Sequence, residues 1–410
     1  MSKIPGHMDS KEFFKSMMGM DGFLSHLDIS LNSAEEGNVS IRLEFNDKIK
    51  RPDYIRYLRD AGANIIPVMS KSALSLITRT TMEWASGREV IQELTGKMEH
   101  ISLFEGNAHN TIMVVCPATY NEIGKFANGI SDGPIEAMFA YALGHGNPIL
   151  IVPAMHLDMY ANPVAKENIS KLKSLGISVM EPIMENNKAK LQDPAEICDS
   201  IIRAFNRENK KSILIVSGKS EVPIDPVRSI TNKSSGLTGY WFARWAYRLG
   251  FSRITFIGNS EYHIPSYAST ITCNENDGFY TATKEELKKM KYDIIILCAA
   301  LSDFNVKKSG VKLDSSSKQN LQLEPVEKLR DIAKKASKGD IITFKLAHRG
   351  EKPLSNDGFI TIHNYIEDNI IGKNSGNYAV TGIGDEMSLP GMEKSDLAFT
   401  ILGKLLGRKP

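Results

Sequence analysis

The chain of 410 residues contains only four cysteines, Cys116, Cys198, Cys273 and Cys298, too widely spaced to form a metal-ligand set or a redox pair. That scarcity excludes a small disulfide-stapled scaffold and fits a reducing compartment. No segment reaches the ~18 consecutive apolar residues that a membrane span requires. Met1 to Gly19 mixes Lys, Asp and Glu with Phe and Met and lacks a secretory apolar core. A cytoplasmic protein without a membrane partner is the expectation. A formal net charge of +2 supplies no broad field for nucleic acid. The clusters Lys288, Lys289, Lys291 and Lys334, Lys335, Lys338 read as solvated helix faces. No period of ~20–50 residues recurs, which argues against a solenoid. No G-x-G-x-x-G turn follows the first strand of either half, which counts against a nicotinamide-dependent oxidoreductase.

What is present is a soluble composition, 42% hydrophobic and 24% charged, on a chain long enough for two cores. Apolar strand-like runs and amphipathic stretches alternate from residue 39: Val39 to Phe45, Ile55 to Ala61, Ala63 to Met69, Thr111 to Cys116, Ile135 to Ala142, Pro148 to Val152 and Lys166 to Leu175. A helix over Pro194 to Phe205 leads into a polar linker, Arg203 to Lys211. The pattern restarts with strands at Ser212 to Val216, Arg253 to Ile257, Asp293 to Cys298, Asp340 to Leu346, Gly358 to His363 and Tyr378 to Thr381, closed by a helix from about Ser395 to Leu406. Such alternation predicts an α/β protein of two doubly wound domains, residues 1–208 and 209–410, each a parallel sheet with helices on both faces.

The segment from Val222 to Gly236 joins a strand to a helix through a polar loop, the place where open α/β sheets bind ligands. Asn232, Ser234 and Ser235 offer an amide, hydroxyls and backbone N–H groups to an anion. Gly236 allows close approach, the helix N-terminus adds partial positive charge, and Arg228 and Lys233 add full charges. A Pro-rich turn followed by an ordinary Ser or Asn cap is the alternative reading of the same residues.

Pro223-Ile224-Asp225-Pro226-Val227-Arg228, then Thr231-Asn232-Lys233-Ser234-Ser235-Gly236 and Gly239, resembles the signature of phosphopantothenate–cysteine ligase, the second half of the bifunctional coenzyme A biosynthesis family. The resemblance implies a Rossmann-like ligase half. There a carboxylate is activated as an acyl-nucleotide by CTP or ATP with Mg²⁺, and is then captured by the amine of cysteine. It implies substrate contacts from Asp225, Arg228, Ser234, Ser235 and Gly236, and places Asn232 at the acyl-phosphate. Cys298-Ala299-Ala300-Leu301-Ser302-Asp303-Phe304 resembles the family's nucleotide segment and assigns Ala299 and Asp303 to that site. Gly310-Val311-Lys312-Leu313 matches a mobile lysine loop, with Lys312 catalytic. Lys328 and Phe344 are the remaining nucleotide contacts, Phe344 as a stacking platform or, equally, as a core residue. Gly218-Lys219-Ser220-Glu221 departs from the family's glycine-proline-threonine turn.

Residues 63–182 are similar to the flavin-dependent decarboxylase half of archaeal members, a flavodoxin-like domain. The matching runs are Ala63 to Ser70, Thr95 to Ile101, Pro117 to Lys125 and Pro153 to His156. The resemblance implies FMN, with Ser70, Thr119, Asn121 and Met155 around it, and catalytic roles for His100 and His156. Leu43 to Lys50 replaces the family's flavin-phosphate turn, and Glu44 and Asp47 there would repel a phosphate. Glu181 to Asp193 lacks the bacterial loop cysteine, so the residues name no proton donor. A second reading is therefore a ligase whose amino-terminal half is a flavin-free scaffold. Either way the expected partners are small molecules, and the family implies a homo-oligomer.

Overall fold

Ile213, Leu214, Ile215 and Val216 are all fully buried, which a strand achieves only when both faces of its sheet are covered. The computed structural model describes residues 62–106, 108–206, 209–349, 358–368 and 373–408, residues 55, 58 and 59, and the backbone of 29–35 and 38–43. The described residues of Met1–Ser102, Gly129–Ala140 and Asp193–Cys198 form one compact unit. Those of Leu103–Asn128, Tyr141–Gln192 and Asp199–Pro410 form another.

In the first part of the chain β1 (Ile29–Glu35) and β2 (Asn38–Leu43) make an antiparallel hairpin, not the parallel start that the sequence predicts. Short helices follow: α1 (Lys71–Leu74), α2 (Arg79–Ser86) and α3 (Glu99–Ser102). The predicted run Ala63 to Met69 is irregular, with a single bridge from Val68 to Ile91. Pro67 explains this in part, since it has no N–H and contributes only its carbonyl, to Ile91.

Next come β3 (Met113–Ala118), α4 (Tyr120–Ala127), α5 (Pro134–His145), β4 (Ile149–Pro153), β5 (Met155–His156), α6 (Leu157–Ala161), α7 (Pro163–Ser174), β6 (Ser178–Val179), β7 (Ile183–Glu185), β8 (Lys188–Lys190) and α8 (Pro194–Ala204). Strands β3, β4 and β6 are parallel, with β4 buried along its whole length; β5, β8 and β7 form a small antiparallel sheet.

The second part holds an eight-stranded sheet, two separate two-stranded ladders and their helices. Its elements in chain order are β9 (Asn209–Ser217), β10 (Glu221–Pro223), β11 (Ser229–Thr231), α9 (Leu237–Arg248), β12 (Phe251–Gly258), β13 (Ser269–Thr272), α10 (Asn276–Lys289), β14 (Ile294–Leu297), β15 (Phe304–Val306), β16 (Leu323–Pro325), α11 (Leu329–Ala336), β17 (Asp340–Ala347), β18 (Ile360–Tyr365), β19 (Ser375–Thr381), β20 (Met387–Glu393) and α12 (Lys394–Leu405). The sheet runs β13-β12-β9-β14-β17-β18-β19-β20. It is parallel as far as β18, and β19 and β20 are antiparallel additions.

Helices α9 and α12 cover one face through Phe242, Ala243, Ala246, Leu397 and Ile401; α10 and α11 cover the other through Phe279, Leu287, Leu329 and Ile332. Each fully buried Phe, Leu or Ile contributes about 1.5–3 kcal/mol relative to exposure, so the two faces together hold the sheet. The chain passes from β9 to β12 on one side and later to β14 on the other. The order reverses between β9 and β14, and a crevice opens beyond their carboxyl ends.

Candidate functional site

At that crevice the turns after β9 and β14 are stitched together. Ala300 donates to the Gly218 carbonyl at 2.8 Å, and Ser220 N donates to the Ala300 carbonyl at 3.2 Å. Asn232 closes the same seam, its side-chain amide donating to the carbonyls of Ala300 at 3.3 Å and Leu301 at 2.8 Å. Its observed work is thus to clamp the Ala299–Leu301 backbone. Asp303 lies exposed beyond this backbone, where Ser302 N is held by Ser220 Oγ and Asn276 Oδ1.

Glycines set the floor of the loop. Gly236, at φ 76°, starts α9, and a Cβ there would lie 2.8 Å from the Asn259 carbonyl oxygen. At Gly218, φ 111°, a Cβ would lie 2.4 Å from the same oxygen; both positions need the left-handed conformation and the space. Gly236 N donates to Ser234 Oγ, and the Ser235 carbonyl accepts from Glu261 N and Ser260 Oγ. The first N–H groups of α9 have no intrahelical acceptors and no side-chain cap, so the cradle suits an anion.

The hairpin of β10 and β11 carries Asp225, which is 2% exposed. Its carboxylate accepts from Val227 N and Arg228 N at 2.8 Å, from Arg228 Nη1 at 3.0 Å and from Leu313 N at 3.1 Å. Arg228 Nη1 also donates to the Leu313 carbonyl, and Ser309 N donates to the Ile224 carbonyl at 2.8 Å. Asp225 and Arg228 therefore dock the loop that carries exposed Lys312 onto the hairpin leading to Asn232.

Burial pushes the Asp225 carboxyl up, but the N–H donors of Val227, Leu313 and Arg228 and the Arg228 charge outweigh it and hold the group below the ordinary carboxylate value. A depressed folded-state value means that the latch is in place above the ordinary range and is lost only as pH falls through the lowered value. Asp225→Asn is expected to loosen the loop at neutral pH, read as faster tryptic cleavage at Lys307, Lys308 and Lys312. Unchanged cleavage would show that Asp225 is not the latch.

Lys328, exposed, precedes α11, and Val326 N ties that segment to the Asp303 carbonyl. Phe344 sits half-buried in β17, edge-on to Phe242 of α9 with centroids 6.3 Å apart, and so packs on the core. Two residues that sequence reading passed over hold the site together. Asn259 bonds Lys219 N with its oxygen and the carbonyls of Lys219 and Cys273 with its amide. Asn276, 2% exposed, bonds both N and O of Ser302. For Asn259 the signal was available, a polar residue directly after a buried strand; Asn276 follows a strand too short and polar to be noticed.

In the first part of the chain, Ser70 caps α1 by accepting from Ala73 N, and His100 lies half-buried on α3 in the first compact unit. Glu99, beside His100, bonds Thr95 through both N and Oγ1. The second unit holds Thr119, Asn121, Met155 and His156. Thr119 follows β3 and caps α4 in a capping box with Glu122, and Asn121 is exposed in the first turn. Ala154 N donates to the Ala118 carbonyl, which brings Met155 and Thr119 to one carboxyl edge of the β3-β4 pair. His156 pairs with Lys188 and leaves α6 without a side-chain cap.

In the second unit, Thr119 and Asn121 at the start of α4 and the half-buried Met155 thioether fit the polar rim and flat face of a flavin ring. The phosphate turn, including Glu44 and Asp47, lies outside the described residues. A cavity of about 290 Å³ opens at the opposite end of β4, and no titratable side chain lines it.

Residues 47–206 match the flavoprotein family and residues 208–407 the C-terminal domain family of DNA/pantothenate metabolism flavoproteins. The coenzyme A biosynthesis bifunctional protein CoaBC of Thermococcus kodakarensis is 38% identical over 305 residues, 73% of this chain and 74% of its own length. Those of Methanocaldococcus jannaschii and Bacillus subtilis are 32% and 29% identical, covering 75% and 85% of this chain and 76% and 91% of their own. A solved C-terminal domain of CoaBC aligns at 22% identity with a TM-score of 0.40, over 48% of this chain and 95% of that one. With a flavoprotein segment followed by a pantothenate-metabolism segment, and a relative of this identity matched over most of both lengths, the chain belongs to the family of coenzyme A biosynthesis bifunctional proteins.

Proposed function

We propose that residues 209–410 join cysteine to 4′-phosphopantothenate using CTP or ATP, and that residues 1–208 decarboxylate the product to 4′-phosphopantetheine. What supports the first step most is the seam at the β9/β14 crevice, where Asn232, just ahead of α9, bonds the Ala300 and Leu301 carbonyls and the hairpin leading to it carries the docked Lys312 loop.

A carboxylate is a poor electrophile, so its oxygen first attacks the α-phosphorus of the triphosphate, and the bond to pyrophosphate breaks. The cysteine nitrogen then attacks the acyl carbon, the bond to the nucleotide breaks, and the amine loses a proton. The start of α9 with Ser234, Ser235 and Gly236 holds the substrate phosphate, with Arg228 beside it. Lys312 neutralises charge growing on the triphosphate. Asp303 and Lys328 flank the nucleotide, Phe344 borders its base, and Mg²⁺ accompanies the phosphates. Asp225 and Asn232 fix the loops on which the other groups stand.

In the amino-terminal half Thr119, Asn121 and Met155 would hold FMN, and for Ser70 and His100 a flavin role rests on the family resemblance alone. Bound there, FMN would take up and return a hydride equivalent during loss of carbon dioxide. His100 serves as the base, and His156 lies at the edge shared with Met155. The protein's partners are its small-molecule substrates. Among the described residues no helix is long and apolar enough to cross a membrane. A cytoplasmic homo-oligomer is part of this proposal.

The purified chain is expected to release pyrophosphate only when triphosphate, phosphopantothenate and Mg²⁺ are all present, and to carry yellow flavin absorbance. Absence of pyrophosphate would remove the ligase assignment. A colourless preparation that cannot be reconstituted with FMN would leave a ligase on a scaffold.

A further inference from the structure

Asp199 lies on α8, inside the segment that matches the flavoprotein family, yet it is fully buried in the unit that contains the eight-stranded sheet. Its carboxylate accepts from Arg244 Nε and Nη2, both at 2.8 Å, from Arg248 Nε at 2.6 Å and from the Tyr267 hydroxyl at 2.6 Å. Arg244 and Arg248 are 9% and 11% exposed at their side chains, so the three charges meet largely away from water. A buried carboxylate with that many charged donors fixes the elements that carry them.

Those elements lead to the cradle. Arg244 Nη1 also reaches the Tyr240 hydroxyl at 3.1 Å, one turn nearer the start of α9. The Tyr240 ring lies 5.5 Å from that of Tyr262, and the neighbouring Ser260 and Glu261 bond the Ser235 carbonyl. A contiguous path therefore runs from Asp199 through Arg244, Tyr240 and Tyr262 to Ser235. A second set of contacts holds the same stretch of α8: Arg203 donates to the carbonyls of Tyr247 and Phe251, and Tyr247 stacks on Tyr267 with centroids 3.8 Å apart.

We infer that Asp199 is a positioning residue for the ligase site, supplied by the flavoprotein segment, which sets the rotation of α9 and so the placement of Ser235 and the anion cradle. The inference rests on the ligase reading above. It gives the end of α8 a task in the second active site although sequence similarity assigns it to the first.

The test uses the full chain with Asp199→Ala and Asp199→Asn. Misplacing a binding loop is expected to raise the KM for phosphopantothenate in Asp199→Ala by about 10- to 100-fold, with a smaller change in kcat. Asp199→Asn, which keeps the shape and an acceptor, is expected to recover part of that loss. Decarboxylation of phosphopantothenoylcysteine supplied directly is expected to be unchanged. If Asp199→Ala does not fold, Asp199→Asn and Arg244→Lys carry the same comparison. A lowered melting temperature with an unaltered KM, or an equal fall in both activities, would overturn the inference and leave Asp199 merely structural. Failure of the unmodified chain to release pyrophosphate would instead remove the ligase reading, and this inference with it.

Discussion

Replacing Lys312 by alanine is expected to lower the rate of acyl-nucleotide formation by about 10²–10³-fold, the usual loss when one preorganised charge partner of a transition state is removed. The KM for phosphopantothenate should change little, because the anion cradle and Arg228 remain. The loop's attachments run through Leu313 and Ser309 backbone atoms and not through the lysine side chain, so the substitution removes the ammonium and leaves its carrier docked. Lys312→Arg should retain part of the rate as a charge at altered reach. Pyrophosphate release under single-turnover conditions measures the step directly. Full activity in Lys312→Ala would remove the residue from catalysis.

The second large effect is expected at Gly258, at the carboxyl end of β12. It adopts φ 125°, and a Cβ there would lie 2.0 Å from the Ser217 carbonyl oxygen and 2.5 Å from the Phe279 ring. Left-handed strain and overpacking together put the cost of Gly258→Ala at about 2–6 kcal/mol. The corresponding fall in the thermal midpoint of this half is roughly 5–20 °C. Ser217 ends β9 and Phe279 lies in the first turn of α10, whose Asn276 holds Ser302, so ligation should fall with the midpoint. Gly310→Ala is the comparison, since nothing lies within 4 Å of a Cβ there. Equal midpoints for the two variants would show that the β9 and β12 turns yield at no cost.

The parallel centre of the large sheet was legible in the sequence because its strands are continuous apolar runs, as Ile213 to Val216 and Ile294 to Leu297 show. Both edge strands escaped notice. β13 is Ser-Thr-Ile-Thr, and β20 contains Pro390 and Gly391, residues that are tolerated at an edge and read as loop. In the amino-terminal half the runs Val39 to Phe45 and Ala63 to Met69 promised parallel strands. The first is half of an antiparallel hairpin and the second has one bridge, since local apolarity does not specify a pairing partner.

At the site, residue types and order pointed to Asn232 and Lys312. The contacts they make did not show: the hydrogen bonds of Asn232 to Ala300 and Leu301 and of Asp225 to Leu313 go to backbone groups far away in the chain, which no local pattern encodes. Asp199 is the extreme case, a lone acid on an amphipathic helix whose partners are distant in sequence.

The docking of the Lys312 loop has a thermodynamic consequence. The segment between β15 and β16 would otherwise be one long flexible arm, and restraining each residue of such an arm costs about 1–2 kcal/mol of conformational entropy. Its attachments at Ser309 and Leu313 divide the arm and leave only Gly310, Val311 and Lys312 between them. Part of that entropy is lost when the protein folds, so on the ligase reading proposed above a triphosphate would meet a charge on a short tether, preorganised before it arrives.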